Sequence, residues 1–262
     1  MDIIIHTHGR GNVGQQNTLK ELNQGGITPT VVIQASEEQD WLPLVDNFDF
    51  HLHILPGHIR DLTGTRDYII HDMVGDDHVV FLDDDLTFAR RRSDDPTKFR
   101  PCQQGELSQM FWAIDDRLGS YPMVGIGARE GGNRNTDPLM FNTRIMRVLA
   151  FRRSYLKQKA LTFAPLKVME DFNINLRILR SGAMTCVVNG WVSNQVGGSD
   201  APGGCSTYRT DQVQTDSANM LAKLHPGFVR VVQKTTKGAW GGKTRTDVVI
   251  SWKKAYDSSQ NF

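Results

Sequence analysis

Three consecutive carboxylates, Asp83, Asp84 and Asp85, directly follow the apolar run VVFL at positions 79–82. Adjacent carboxylates repel one another and are costly to bury without a partner, so a positive group is expected beside them. In an extended chain, Asp83 and Asp85 project to one side and Asp84 to the other. Two carboxylates on one side suit Mg²⁺ or Mn²⁺, with water and a substrate diphosphate completing the coordination. We therefore predict a metal site at Asp83 and Asp85; the alternative is an acidic turn exposed to solvent.

A second acidic pair, Glu170 and Asp171, lies near the start of a segment at 168–182 whose apolar spacing predicts an amphipathic helix. A carboxylate there can act as general base on a hydroxyl, which is a poor nucleophile at neutral pH. The alternative is a pair of first-turn acids stabilised by the helix dipole. Together with the aspartates at 83–85, the pattern favours Glu170 and Asp171 as catalytic residues.

The elements that must position these acids alternate along the first half of the chain. Near-continuous apolar strands are predicted at 2–8, 28–36, 50–57 and 78–84, with helices at 15–24 and 65–74. This alternation predicts an α/β fold with a mostly parallel central sheet flanked by helices, in which ligands bind at the carboxyl ends of strands. The second half predicts helices at 105–119 and 168–182, strands at 122–130 and 184–194, and a strand running into a helix over 145–156.

Composition is that of an ordinary globular protein, with 262 residues, 39% hydrophobic content and a net charge of +1. We expect a single domain over 1–262, since no repeat or linker is visible. Cys102, Cys186 and Cys205 suggest neither a disulfide framework nor a zinc site, so a reducing cytoplasm is expected. The sequence shows no secretion signal and no membrane-length apolar run, and we expect no membrane association.

The acidic motif after a buried strand, followed later by Glu170 and Asp171 at a helix start, resembles the glycosyltransferases of the GT-A fold. The resemblance implies a divalent ion, Mn²⁺ or Mg²⁺, on the diphosphate of a sugar-nucleotide donor. It also implies that Asp171 is the general base on the acceptor hydroxyl, as in inverting members. It assigns donor-binding roles to seven residues: Thr7, Gly9, Arg10, Arg66, Asp67, Asp83 and Asp84.

The resemblance bears on two further residues, Arg66 and His225. Arg66 opens a predicted helix and is expected to hold a phosphate or a sugar hydroxyl; the alternative is a surface pairing with Asp67 or Asp61. GT-A enzymes often have a histidine near the C-terminus as a third metal ligand, which makes His225, in KLHPGF, the candidate for that role.

The order of motifs (a TRDYII helix, FLDDDL, MEDFNINL, a Gly-rich loop at 197–206 and HPGFV) resembles one branch. This branch is the glycosyltransferases associated with ten-eleven-translocation dioxygenases, phage-type enzymes that add sugars to hydroxymethylated DNA bases. The resemblance implies 5-hydroxymethylcytosine in DNA as acceptor, UDP-glucose as donor by analogy, and the cytoplasm of a phage-infected bacterium. Residues 1–100 would then bind the nucleotide-sugar and 101–262 the acceptor. No obligate protein partner is inferred.

Basic residues in the C-terminal region give independent support for a nucleic-acid acceptor. Between 226 and 254 there are seven Lys and Arg residues against one acid, with Trp240 among them. The candidate nucleic-acid-binding residues are Arg209, Lys237, Trp240, Lys243 and Arg245. Further clusters lie at 90–92 and 152–153; the alternative for all of them is a solvated surface.

Three other functions are open at this point. One is a glycosyltransferase that acts on a saccharide or a protein. Another is a metal-dependent hydrolase or phosphoesterase of the HxH type, in which histidines would join Asp83 in a two-metal site: His6, His8, His51, His53 and His58. The last is a nucleic-acid-binding module with a degenerate transferase fold.

Overall fold

The central sheet is built from strands that are apolar on both faces, as in β4, where Val79 to Leu82 are all buried. The computed structural model describes residues 1–11, 15–73, 75–196, 208–235 and 244–260. In these residues ten strands form the sheet: β1 (Asp2–His6), β2 (Thr30–Ile33), β3 (His51–Ile54), β4 (His78–Leu82), β5 (Leu86–Arg91), β6 (Phe99–Pro101), β7 (Met123–Ala128), β8 (Leu139–Phe141), β9 (Val148–Arg152) and β10 (Thr185–Gln195).

The described residues form the helices α1 (Asn17–Gln24), α2 (Glu38–Trp41), α3 (Leu62–His71), α4 (Glu106–Leu118), α5 (Arg153–Gln158), α6 (Glu170–Arg180), α7 (Asp211–Leu224) and α8 (Trp252–Asp257). Of these, α1 to α6 cover the two faces of the sheet. The apolar side chains of α1 and α4 pack in one core cluster, and those of α3, α5 and α6 pack in another. Across the residues with assigned structure, no helix has both the length and the apolarity to cross a membrane.

The sheet runs in the order β3-β2-β1-β4-β9-β7-β10-β5-β6, and β8 pairs with β10. In this described part of the chain, seven strands point one way, whereas β5, β8 and β9 point the other. The predicted mostly parallel α/β sheet is thus confirmed. β1 and β4 are parallel neighbours with Ile5 opposite Leu82, so the segments after both strands leave the sheet at the same edge.

A smaller unit follows the main sheet. β11 (Val229–Thr235) and β12 (Thr244–Ile250) form an antiparallel pair that packs with α6, α7 and α8 around a third core. α7 begins after Thr210, whose side chain accepts a hydrogen bond from the Val213 amide at 3.2 Å.

Candidate active site

A cavity of about 300 Å³ opens where β1 and β4 end and α6 begins. Such a position, at the carboxyl ends of parallel strands, is where α/β sheets bind ligands. The cavity brings together nine residues from distant parts of the sequence: His6, Thr7, Arg10, Arg66, Asp83, Asp84, Asp85, Glu170 and Asp171. The two acidic motifs predicted from the sequence therefore share one cavity.

Asp84 and Asp85 lie in a turn between β4 and β5, so the predicted alternation of an extended chain does not hold here. Both carboxylates face the buried guanidinium of Arg10, whose Nη1 contacts Asp84 and lies 3.0 Å from Asp85 Oδ2. Thr7 also donates its hydroxyl hydrogen to Asp84. Burial raises the pKa of Asp84 to about 6, although Arg10 and Thr7 oppose the shift.

The backbone of this turn is held by α1. Thr18 donates its amide hydrogen to the Asp84 carbonyl at 3.1 Å, and its hydroxyl accepts a hydrogen bond from the Leu86 amide at 2.8 Å. On the far side, the Gln195 amide group donates to Asp85 Oδ2 at 3.0 Å. The turn that carries the aspartates is therefore fixed by two separate elements, α1 and β10.

Asp83 has a different environment from its two neighbours. Its side chain is one-third exposed, and its Oδ1 lies 3.7 Å from Arg66 Nη2 and 3.9 Å from His6 Nε2. Burial raises the pKa of Asp83 to about 7, with Asp85 and Asp84 adding repulsion and Arg66 opposing it. Burial and the two neighbouring aspartates therefore disfavour the charged form of Asp83 more than Arg66 favours it.

The aspartates fit a divalent cation held by few protein ligands. Asp85 Oδ1 is buried and has no hydrogen-bond partner among the residues described, so an acceptor oxygen is available. Within the same residues, no group of three or more His, Cys, Asp or Glu side chains is arranged to hold a metal. Mg²⁺ does not require one, because it usually binds one or two carboxylates and completes its shell with water and substrate phosphates. Asp83 and Asp85 fit that description.

Arg66 is buried, and it contacts Glu170 and His6. Its Nη1 donates to Glu170 Oε1 at 2.6 Å, and its Nη2 lies 3.1 Å from His6 Nε2. A guanidinium can only donate, so Nε2 accepts and the imidazole proton lies on Nδ1. Burial and the nearby Arg66 hold the pKa of His6 well below its ordinary value, which keeps the ring neutral. Arg66 therefore orients two cavity side chains.

The acidic pair at the start of α6 divides into two environments. Glu170 is buried and paired with Arg66; burial raises its pKa, and Arg66 opposes that shift. Asp171 is half-buried, lines the cavity, and forms no hydrogen bond or ion pair through its carboxylate with any residue in the described ranges. Both acids lie in the first turn, where the helix dipole favours negative charge. Asp171 is the acid available to a substrate.

Asp67 and Gly9, predicted to bind the donor, lie outside the cavity lining. Asp67 accepts hydrogen bonds from the backbone amides of Phe163 at 2.8 Å and Ala164 at 3.3 Å, so it fixes a loop. Gly9 adopts a φ of +67°, which favours glycine, and its amide donates to Glu37 at 3.0 Å. Both residues support the walls of the site.

His225, predicted as a third metal ligand, also lies away from the cavity lining. Its Nδ1 is 3.1 Å from Arg180 Nη1 and its Nε2 is 2.9 Å from Asn173 Oδ1. The arginine only donates, so Nδ1 accepts and Nε2 donates. Burial, together with Arg180 and Arg177, lowers the pKa of His225 to about 4. Both ring nitrogens are engaged in holding α6 to the end of α7.

The candidate nucleic-acid-binding residues fall into two groups. Arg209 and Arg245 line the cavity. Lys237, Trp240 and Lys243 lie outside the described residues, as does the Gly-rich loop at 197–206.

The two other basic clusters, at 90–92 and 152–153, are largely engaged within the fold. Arg91 donates to three backbone carbonyls, that of Pro96 and two others at 2.9 and 3.0 Å, and buried Arg153 pairs with Asp2 at 3.0 Å. The histidines of the hydrolase hypothesis are likewise separated, since His51, His53 and His58 do not line the cavity.

Two arginines of the site, Arg144 and Arg147, were not singled out from the sequence. Arg144 is exposed and lies over the Phe172 ring, 4.7 Å from its centroid. Arg147 adopts a φ of +66°, accepts the Asp83 amide at 3.1 Å through its carbonyl, and forms a two-point ion pair with Glu130. The only local signal is the pair of arginines in TRIMR, which no periodicity or motif marks as functional.

Charge is layered across the cavity. The buried acids lie deep in its wall and carry the negative charge: Asp84, Asp85 and Glu170. The lining arginines that are exposed at its mouth are Arg60, Arg144 and Arg209. We call these three arginines the basic rim. The interior thus suits a cation, whereas the mouth suits an anion.

The sheet order, the helices on both faces and the cavity beside β1 and β4 define a nucleotide-sugar transferase fold of the GT-A type. S. aureus TarS (residues 1–349) aligns with a TM-score of 0.51 at 14% identity, over 86% of this chain and 65% of that one. The chain thus spans about 65% of the length of that segment, and at this identity the similarity shows the fold alone.

Two further solved structures align with lower TM-scores. The apo form of glycosyltransferase GlyE from Streptococcus pneumoniae aligns at 16% identity and a TM-score of 0.37, over 61% of this chain and 36% of that one. The 4-diphosphocytidyl-2C-methyl-D-erythritol synthase of Anaerococcus prevotii aligns at 13% identity and a TM-score of 0.41, over 66% and 81%.

The family is identified by sequence. Residues 1–204 match the TET-Associated Glycosyltransferase family, and the chain belongs to that family. No curated protein matches the chain. The prediction of a glycosyltransferase is therefore confirmed at the level of family and fold.

Proposed function

We propose that the protein is a metal-dependent glycosyltransferase that moves a sugar from a nucleotide-diphospho-sugar to a hydroxyl on a modified base in DNA. The donor is a UDP-sugar, with UDP-glucose as the first candidate, and the acceptor is the hydroxymethyl group of 5-hydroxymethylcytosine. The observation that carries the proposal is the carboxylate of Asp171, which has no partner among the described residues and lines the same cavity as the aspartate turn. Family membership over residues 1–204 supports the transferase class.

Asp171 is the general base in this proposal. An acceptor hydroxyl must lose its proton as it attacks the sugar, and a positioned carboxylate can take that proton. Glu170 is unsuited to the role, because its Oε1 already accepts a hydrogen bond from Arg66 at 2.6 Å. Direct attack by the activated hydroxyl gives inversion at the anomeric carbon.

The donor would lie against the aspartate turn. Asp83 and Asp85 would hold Mn²⁺ or Mg²⁺, which offsets the negative charge that develops on the leaving diphosphate. Arg10 and Thr7 keep the turn in place through Asp84, so the carboxylates are oriented before the donor binds.

The layered charge supports a polyanionic acceptor. A DNA backbone would meet the basic rim, while the cation and the donor occupy the interior. The target base must leave the helical stack to reach Asp171, as bases do in other enzymes that modify them. A saccharide or protein acceptor is the alternative.

Nucleoside mass spectrometry tests the proposal. Duplex DNA containing 5-hydroxymethylcytosine is incubated with the protein, Mn²⁺ and a mixture of UDP-sugars, and a matched duplex containing cytosine is the control. The expected product is a base heavier by one sugar in the first duplex only, and EDTA should abolish it. Donor binding by thermal shift without any product would refute the DNA acceptor. Neither binding nor product would refute the transferase assignment for this site.

A further inference from the structure

The antiparallel pair β11–β12 has one packed face and one open face. Its register places Arg230 opposite Val249, Val232 opposite Asp247, and Lys234 opposite Arg245. Because side chains alternate along a strand, these pairs share one face. We call it the outer face: Arg230, Val232, Lys234, Arg245, Asp247 and Val249. The valines and isoleucine of the opposite face pack into the third core.

The outer face is basic and accessible. It carries three cations and one acid, and Arg230, Lys234 and Val249 are exposed. Asp247 Oδ2 lies 2.9 Å from Lys234 Nζ and 3.6 Å from Arg245 Nη2, so this one carboxylate lies between two of the three cations.

The outer face is also continuous with the active site. Arg245 and Asp247 line the cavity, and from them the strands run outwards to the Arg230–Val249 pair. Lys234 lies four positions after Arg230, which corresponds to about 14 Å along a strand. Each DNA strand carries one phosphate per about 3.4 Å of the duplex axis, so about 14 Å along that axis covers roughly four phosphates of one strand.

We propose that the outer face of β11–β12 docks the phosphate backbone of duplex DNA beside the base being modified. The inference rests on the proposed function and identifies the surface that binds its acceptor. Charge complementarity favours this occupant, since the cations form a row that starts at Arg245 in the cavity lining. The face also lies beyond residue 204, where the family match ends.

The test uses a charge-neutralising double variant, R230Q/K234Q, with K157Q/K159Q as a matched control. Lys157 and Lys159 are exposed at the end of α5, and neither lines the cavity. Binding of an unmodified duplex is measured by fluorescence anisotropy at several KCl concentrations. This assay measures the contribution of the outer face to DNA binding without requiring sugar transfer.

Each phosphate contact contributes about 0.9 to the slope of log affinity against log salt. R230Q/K234Q should therefore lower that slope by up to about 1.8, which at 0.1 M salt corresponds to up to about 60-fold weaker binding. K157Q/K159Q should bind as the parent does, and melting temperatures should be unchanged in both.

The two proposals fail in different ways. Equal binding by the parent and R230Q/K234Q, or an equal loss in K157Q/K159Q, would overturn the docking surface even if the parent transfers sugar to DNA. Binding that depends on Arg230 and Lys234 in a protein that transfers no sugar to DNA would support the docking surface and refute the proposed acceptor.

Discussion

The ion pair between Arg66 and Glu170 predicts strong energetic coupling between β1, α3 and α6. Replacing Arg66 with methionine keeps a long side chain but removes the only cation within 4 Å of Glu170 among the described residues. It also removes the donor to His6 Nε2. The buried carboxylate must then be protonated or left unpaired, and both outcomes favour the unfolded chain.

The size of the expected loss in stability follows from the burial of both side chains. The side chains of Arg66 and Glu170 are 4% and 8% exposed, and removing one partner of such a pair costs about 3–5 kcal/mol. In E170Q/R66M the unpaired charge is absent, so the double variant should lose less than the sum of the single losses, by about 2 kcal/mol. Arg100 and Glu106 are the control, because this pair is also short, 2.7 Å at both contacts, but its arginine is 37% exposed and Arg90 is a second cation 3.3 Å from Glu106. Its coupling should be about 0–1 kcal/mol.

Urea unfolding of the four proteins in each cycle provides the measurement, with a common m-value as the check that the unfolded states are comparable. Coupling between Arg66 and Glu170 of less than about 0.5 kcal/mol would refute the assignment of Arg66 as the residue that holds Glu170 in place. So would equal coupling in the Arg100–Glu106 control.

Three further predictions concern residues around the site. The unfolded chain protonates His225 near pH 6.5 and the folded one at about 4, so stability should fall by up to about 3 kcal/mol as pH drops through that window. H225Q, followed by denaturation at each pH, should flatten this dependence, and an unchanged profile would contradict it. Arg10→Gln should lower the melting temperature in the absence of metal, because Asp84 and Asp85 lose their cation. Mn²⁺ should restore part of the lost melting temperature. Equal losses with and without Mn²⁺ would contradict this prediction. D67A should cost about 1–3 kcal/mol of stability, because two partly buried backbone amides lose their acceptor. Its donor affinity should match that of the parent. A large increase in the donor KD would show instead that Asp67 belongs to the donor site.

Patterns in short stretches of sequence predicted the individual strands and helices that carry the acidic motifs. The apolar run before Asp83 identified a buried strand, and the amphipathic spacing after Glu170 identified α6. Since parallel strands present their carboxyl ends at one edge, the meeting of the two acidic motifs could be anticipated before the structure.

The remaining features depend on contacts between distant parts of the chain. Arg66 and Glu170 are 104 residues apart, and nothing near either one indicates that they pair. The prediction that the aspartates alternate as in an extended chain was wrong, because Arg10 binds Asp84 and Asp85 together in a turn. An HP dipeptide near the C-terminus looks the same whether its histidine binds a metal or, as His225 does, an asparagine and an arginine.

The division of roles between Glu170 and Asp171 is the central claim, and a comparison of D171N with E170Q tests it most directly. Both substitutions remove one negative charge from the first turn of α6 and keep the side chain nearly isosteric. The rate of sugar transfer to hydroxymethylated DNA is measured beside the KD for the donor. Loss of a general base typically costs 10²–10⁴-fold, so D171N should lose at least about 100-fold in kcat while its donor KD stays within about twofold. E170Q should keep most of its kcat. Transfer by D171N at the parent rate, or an equal loss in E170Q, would contradict the assignment of Asp171 as the base.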